Sequence, residues 1–437
     1  MHAIKICENQ NSMPTPFAIA AIWLISITII ALILLRPRRI PEYVWAAGGA
    51  LLLVLTRLVP VPQALASMRE GANVYLFLAG MMLLSEVARL HGVFDWLAAL
   101  AMQHARGSRL RLFSLIYAVG ILVTALLSND ATAVVLTPAV LAVVRQAGVR
   151  RGRMSPLPYL FACAFVANAA SFVLPISNPA NLVVFDEHLP SLATWLHTFL
   201  LPAAVAIGLT FVLLYWHHRS DLTGEIEDGI VPAPLNAQGK RAALGILLAA
   251  GILLLTSAMG RPLGLPTCAT AILVLLVASA PNFRGILTAV REISWGVLPL
   301  VAGLFVLVGA LEHAGALPLA VAALHRIATW SPTASATSAA FGVGLAANLL
   351  NNLPVGLIGA AATQVAGASA LLHDAVLLGI DLGPNLSVTG SLATILWLIA
   401  LRREKIDVSG WRFLRAGLLV MPPVLLLAVL TLVLAAH

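Results

Sequence analysis

Charge is what this sequence has least of. Asp, Glu, Lys and Arg make up 10% of its 437 residues and hydrophobic residues 60%, whereas a soluble domain carries roughly 25% charged residues. Apolar runs of about 20 residues recur from Thr15 onward, long enough to cross a bilayer. A soluble fold is thereby excluded. Cysteine is nearly absent as well: Cys7, Cys163 and Cys268 are too few and too scattered for a disulfide framework or a metal cluster, and Cys163 and Cys268 read as small core residues. The chain also lacks HExxH, GxSxG and any short motif of paired membrane aspartates, so no catalytic residue, metal ligand or cofactor is expected.

The few charges that remain are placed unevenly. The formal charge of +8 could indicate a nucleic-acid partner, but the cations flank apolar runs. With "RPRR" (Arg36 to Arg39) in the cytoplasm, all but five of the 26 Lys and Arg residues fall on that side, the five being Lys5, Arg57, Arg69, Arg261 and Arg326. This is the bias of the positive-inside rule, and it points to anionic lipid rather than nucleic acid. The first apolar run lacks a cleavage site and reads as a retained span. The bacterial inner membrane is the expected location, with a multi-pass topology.

Two regions, 112–145 and 335–365, are pairs of short apolar arms broken by "LLSND" and "LLNNLP". An arm of 16 residues rises only about 24 Å, short of a ~30 Å core, so both read as re-entrant helical hairpins. Two further regions, 158–185 and 372–401, read as spans interrupted by Pro175, Pro179, Gly383, Pro384 and Gly390.

The halves repeat. "LHGVF" at Leu90 aligns with "HAGAL" at His313 at an offset of 223, which also sets Ser128 and Asn129 on Asn351 and Asn352. Beyond the hairpins the offset becomes 213, pairing Asn168 with Asp381 and Asn181 with Thr394. Five true spans per copy is an odd number, so the second copy enters upside down. The expected fold is an all-α polytopic membrane protein of two inverted repeats, with about ten transmembrane spans, two re-entrant hairpins and two broken helices. Residues 1–14 form a tail, 15–216 the first repeat, 217–241 a flexible cytoplasmic linker and 242–434 the second repeat. Secondary transporters are built this way, with their sites where broken helices meet.

Polar residues gather at the two hairpin tips and in the two interrupted stretches 167–181 and 380–394, four elements that carry no Lys or Arg. Ser128, Asn129, Asn168, Ser177, Asn178, Asn181, Asn351, Asn352, Asn385, Thr389 and Ser391 are the candidate substrate-binding residues. An amide donates and accepts without a charge penalty, so the set suits a small neutral polar solute; capping of broken helix ends is the plainer role for any one of them. Asp130 and Asp381 are the acids, candidates for proton coupling. Glu86, three residues before Arg89, reads as an i, i+3 ion pair. Glu312 and His313 read as a water-facing helix end.

The stretches "LLSNDATAVVLTP", "FVANAASFVLPISNPANLVVF", "NNLPVGLIGA" and "GIDLGPNLSVTGSLATILWL" resemble the bacterial arsenite and antimonite efflux transporters of the ArsB type, in the ion transporter superfamily that also holds citrate and dicarboxylate carriers. The resemblance implies export of As(OH)3 and Sb(OH)3 against inward-moving protons, hence metalloid resistance. It also implies a mobile, elevator-like domain of hairpins and broken helices, with Thr132 added to the site. A sodium- or proton-coupled carrier of small anions or carboxylates is the alternative within the same fold. An intramembrane enzyme and a passive channel are disfavoured. The sequence leaves open whether two copies pair as a homodimer and whether a cytoplasmic arsenite-stimulated ATPase docks.

Overall fold

The computed structural model describes residues 15–148, 155–185, 189–226, 234–280 and 283–436. The expected tail (1–14), the basic run at Arg150, Arg151 and Arg153, and the linker acids Glu227 and Asp228 lie outside these residues. The described residues are helical throughout, with no strand beyond one isolated bridge between Ser108 and Glu225. The chain is a polytopic helical membrane protein: among the described residues, eight helical stretches are long and apolar enough to cross a membrane.

In chain order the first half runs α1 (Pro16–Leu35), α2 (Glu42–Leu55), α3 (Val61–Glu70), α4 (Ala72–Leu90), α5 (Val93–His104) and α6 (Arg109–Leu126). It continues through α7 (Asn129–Ala131), a π-helical turn over Thr132–Leu136, α8 (Thr137–Gly148), α9 (Leu157–Ala169), α10 (Pro179–Phe185) and α11 (Leu192–His218). The second half runs α12 (Ala237–Ala258), α13 (Gly264–Ser279), α14 (Phe283–Glu292), α15 (Val297–His313), α16 (Ala316–Ala328) and α17 (Pro332–Leu350). Then come α18 (Asn352–Val365), α19 (Ala370–Leu382), α20 (Leu392–Arg403) and α21 (Gly410–Ala435). The two series are alike in order, but α7, the π turn and α8 of the first stand where the second has the single helix α18.

Several ends differ from the sequence reading. The short helices α3, α5, α14 and α16 fall outside the regions that the sequence reading singled out, and each is too short to span. Ser108 and Ser331 cap α6 and α17 through their hydroxyls, so these arms start earlier and reach 18 and 19 residues; both are among the helices long and apolar enough to cross a membrane, so the expectation that short arms make these hairpins re-entrant fails. Conversely, α2 and α13 stop at 14 and 16 residues.

The chain divides into two compact units. The first comprises residues 1–71 and 296–323, where α15 packs against α2, and α1 beside α2. The Trp23 indole donates to the Ala314 carbonyl at 2.9 Å, and Arg36 pairs with Glu42 at 2.6 Å. In this unit Glu312 is half-buried and His313 exposed.

The second unit comprises residues 72–295 and 324–437. There α4 packs against α13, with α12 alongside, by the same scheme that joins α15 to α2 and α1. In both cases the third helix comes from the other repeat, so the repeat is a unit of topology rather than of packing. Glu86 forms the expected pair with Arg89 at 2.6 Å, and Arg89 also binds Glu292 of α14. Arg145 pairs with Glu404 at 2.6 Å. Cys163 is buried and Cys268 partly so. The first part of the linker is docked rather than free: the Ile226 amide donates to the Gly107 carbonyl at 2.8 Å, and Ile226 is buried. Leucines on α12 such as Leu244, Leu248 and Leu255 are more than half exposed, as lipid-facing side chains are.

Two glycines permit the close helix crossings. A Cβ on Gly80 of α4 would lie 2.7 Å from the Thr267 backbone of α13, and one on Gly303 of α15 would lie 2.6 Å from the Ala46 backbone of α2. These positions are 223 residues apart, the repeat offset. We expect Gly80→Leu and Gly303→Leu each to destabilise the folded protein by about 1–3 kcal/mol or more through overpacking. Gly48→Ala, where a Cβ meets nothing within 4 Å, serves as the neutral control. Thermal unfolding in detergent measures this; equal midpoints for all three would refute the close-crossing account.

Candidate functional site

Every candidate site residue lies in the second unit. Each is placed by the need to end or restart a helix where water is scarce, because a helix leaves its first amides and last carbonyls without intrahelical partners. Four half-helices begin at the breaks, and each is capped by a candidate residue. Ser128 Oγ accepts from the Ala131 amide at 3.1 Å, and Asn178 Oδ1 from the Ala180 amide at 3.1 Å. Asn351 Oδ1 accepts from the Leu353 amide at 3.4 Å, and Ser391 Oγ from the Thr394 amide at 3.2 Å. Capping and site-building are thus done by the same residues.

The helix ends opposite these caps are cross-linked between repeats. Asp381, in the last turn of α19, accepts through Oδ1 from Asn178 Nδ2 at 2.5 Å. Asn168, in the last turn of α9, accepts through Oδ1 from Ser391 Oγ at 3.4 Å. Asn168 stands 213 residues before Asp381 and Asn178 213 before Ser391, so the two bonds join residues at one matching offset. Asn168 Nδ2 also donates to Asn385 Oδ1 at 3.0 Å, and Asn385 Nδ2 to the Phe165 carbonyl at 3.2 Å.

Each break is tied to its own hairpin arm. Ser177 Oγ donates to the Ala125 carbonyl at 3.2 Å, and Thr389 Oγ1 to the Asn348 carbonyl at 2.8 Å. The acceptors are again 223 residues apart. The Asn352 amide donates to the Gly390 carbonyl at 3.0 Å. The second hairpin tip is thus bonded directly to its break, and the first hairpin is held to the other break through Ala125 of its arm. Asn351 takes a φ of 74° to make its turn, outside the region most side chains prefer. In the first hairpin the helix resumes through the π turn, where Thr137 Oγ1 donates to the Thr132 carbonyl and the Thr124 and Thr132 hydroxyls meet at 2.8 Å; π turns recur at functional positions.

Not every candidate is free to hold a solute. Asn181 Nδ2 serves the Ser171 carbonyl at 3.0 Å, and its Oδ1 is buried without a partner. Ser177, Asn385 and Thr389 are occupied by the bonds above. The groups left over are few. Among the described residues, no hydrogen bond is made by the Asn129 Nδ2, the Asn352 side-chain carboxamide or the Asp130 carboxylate, and the Asp381 Oδ2 is buried without a partner. Asn129, Asn352 and Asp381 are almost fully buried, whereas Asp130 is half-buried. The two acids also differ electrostatically: Asp130 sits at the amide end of its helix, which favours negative charge, and Asp381 at the carbonyl end of α19, which opposes it. No hydrogen bond links Asp130 to the Asp381 cluster among the described residues.

One central residue escaped the sequence reading. Asn348 Nδ2 donates to the Gly344 carbonyl at 2.7 Å and to the Gly383 carbonyl at 2.9 Å, while its Oδ1 accepts from Ser387 Oγ at 2.6 Å. The signal was its position three residues before Asn351, on the same helix face.

A family model described as "Citrate transporter", CitMHS, matches residues 24–380. The chain belongs to the CitMHS family. This CitMHS-family chain is a transporter of a small-molecule solute, a member of the ion transporter superfamily and not an enzyme. It is 28% identical over 348 residues to the arsenical pump membrane protein of Yersinia enterocolitica, covering 76% of this chain and 80% of that one. It is 27% identical over 396 residues to an arsenical pump membrane protein of Escherichia coli, covering 87% and 91%. The YdaH transporter of Alcanivorax borkumensis shares the fold, with a TM-score of 0.58 at 15% identity over 96% of this chain and 98% of that one.

Asn178 both caps α10 and partners Asp381, so Asn178→Ala removes a cap worth about 1 kcal/mol and strips a buried acid of its donor, at about 1–3 kcal/mol. We expect a clear fall in melting temperature in detergent, with little effect from Thr329→Ala, an exposed hydroxyl on the Arg326 carbonyl. An unchanged melting temperature for Asn178→Ala would mean that the Asn178 bond to Asp381 is not made.

Proposed function

We propose that this transporter exports the neutral hydroxides of trivalent arsenic and antimony across the bacterial inner membrane in exchange for protons. One observation carries the reading: the buried cross-repeat cluster offers amides, hydroxyls and helix amide ends together with two acids, and contains no cation. A trihydroxyl solute donates three hydrogen bonds and accepts others, and it brings no charge to neutralise. The relatives named arsenical pump membrane proteins support the same reading.

The chain's own groups suggest how exchange is obligatory. The buried Asp381 Oδ2 needs a donor, and either a proton or a solute hydroxyl supplies one. Competition for that oxygen couples arrival of one to departure of the other. Export of a neutral solute against one inward proton moves one charge per cycle, so the membrane potential contributes about 2.3 kcal/mol per 100 mV. The hairpins and broken helices, already joined by hydrogen bonds, are the part that would move as an elevator, with α1, α2 and α15 among the static spans. The repeats are taken as 15–216 and 242–434.

A second reading, export or uptake of a carboxylate such as citrate, is favoured by the family description and by four helix amide ends at the breaks. The lack of any Lys or Arg in the four elements weighs against a multiply charged anion.

In everted vesicles we expect Asp130→Asn and Asp381→Asn each to insert normally and to lose proton-driven arsenite accumulation, about tenfold or more. Asp381→Asn should still exchange arsenite for arsenite. Wild-type vesicles that accumulate labelled citrate, or that accumulate arsenite without any pH response, would refute the proposal.

A further inference from the structure

Away from the breaks, α10 and α19 run antiparallel, and their two ends are marked by hydrogen bonds. At one end Asn178 donates to Asp381; at the other the His373 Nε2 lies 3.2 Å from the Val184 carbonyl, with its ring edge-on to Phe185 at 4.6 Å between centroids. The second end opens into a cavity of about 460 Å³ lined by Thr194, Thr198, Gln364, His373 and Asp374 among others. The charge-derived topology sets this cavity on the outer face, where α10 and α18 finish and α11 and α19 begin.

Asp374 is the acid of that cavity. It is half-buried, and among the described residues its carboxylate has neither a hydrogen bond nor an ion pair. It precedes Asp381 by seven residues on α19, which is about 10.5 Å along the axis and within about 20° of the same face. The elements around it bring no competing charge: α10, α17 and α18 contain no titratable residue. Arg412 and Arg415 lie at the opposite, inner end of α21, and on α9 the titratable side chains are Tyr159 and Cys163. On α11, His197 is exposed, and Asp186, Glu187 and His188 of the preceding loop lie outside the described residues.

We propose that this cavity is the outer vestibule of the proton path and that Asp374 is its collecting group. Asp374 takes a proton from outer water and passes it along α19 to the Asp381 Oδ2 when water enters past the buried apolar residues between them, Ala375 to Ile380. One O–H bond breaks at Asp374 as one forms at Asp381, with no net change in the water between. The proposal rests on the proton-exchange reading above and adds the residue through which the outside is sensed. A two-acid arrangement is needed because the Asp381 Oδ2 is buried, while the cavity that water can fill ends at Asp374.

The test uses the full chain in proteoliposomes of known orientation, with arsenite as the probe. Asp374→Asn should lower net proton-coupled transport by about tenfold at an outer-face pH of about 8 and recover as that pH falls to about 6, because abundant protons bypass a missing collector. Arsenite-for-arsenite exchange, which moves no net proton, should stay at the wild-type rate, and Asp374→Glu should restore net transport. Net transport by Asp374→Asn with the wild-type dependence on outer pH would overturn the assignment. So would loss of exchange in parallel with net transport in Asp374→Asn, or failure of Asp374→Glu to restore it. A wild-type protein without proton coupling would instead remove the reading on which the assignment rests.

Discussion

The structure depends on one constraint: backbone amides and carbonyls freed inside a membrane must find partners within the protein. Breaking a helix there leaves up to eight such groups per break, and the candidate site is what satisfies them. Ser128, Asn178, Asn351 and Ser391 close the new amide ends, while Asn181, Asn348, Ser177 and Thr389 take up carbonyls. The polar cluster therefore exists first as a structural necessity. The function proposed above would use the atoms that this necessity leaves over, chiefly at Asn129, Asn352, Asp130 and Asp381.

Pseudo-symmetry explains why the leftover atoms meet. Each broken helix is stabilised by the other repeat, through Asn178 to Asp381 on one side and Ser391 to Asn168 on the other. The hairpins share the arrangement: the first packs against α9 and α20, the second against α10 and α19. A hairpin is thus seated between one half of each broken helix, so a displacement of either hairpin is felt by both breaks. Gly80 and Gly303 show the same economy farther out, where one crossing geometry is used twice.

Much of this was legible in the sequence because the membrane is a severe filter. Polar residues at membrane depth stand out against Leu, Val and Ala, so "LLSND", "LLNNLP" and the proline- and glycine-broken spans announced themselves, as did the pairing of Glu86 with Arg89. What stayed hidden had ordinary composition. The amphipathic helices α3, α5, α14 and α16 carry their signal on one face over too few turns to rise above loop composition. Asn348 reads as one amide among many until the Gly383 carbonyl it serves is known. The π turn at Thr132–Leu136 has no sequence signature beyond threonine, which is common in such spans. Nor could the sequence separate residues that frame the breaks from residues left open to a solute, because that distinction depends on hydrogen bonds between segments some 200 residues apart.

The symmetry is broken at one chemically decisive place. Asn168 and Asp381 are near-isosteric, stand at equivalent positions and accept the same repeat-crossing bond, yet only one can carry charge. Asn168 completes its partners: Oδ1 receives Ser391, and Nδ2 reaches Asn385. An acid in its place would lack the donating nitrogen and would leave Asn385 Oδ1 unsatisfied. Asp381 has no such second duty, and its Oδ2 is left without a protein partner. A frame built twice from the same bonds can hold its shape on the Asn168 side while the Asp381 side gains and loses a donor. That division of labour is what a transporter coupling a neutral solute to a single mobile proton requires.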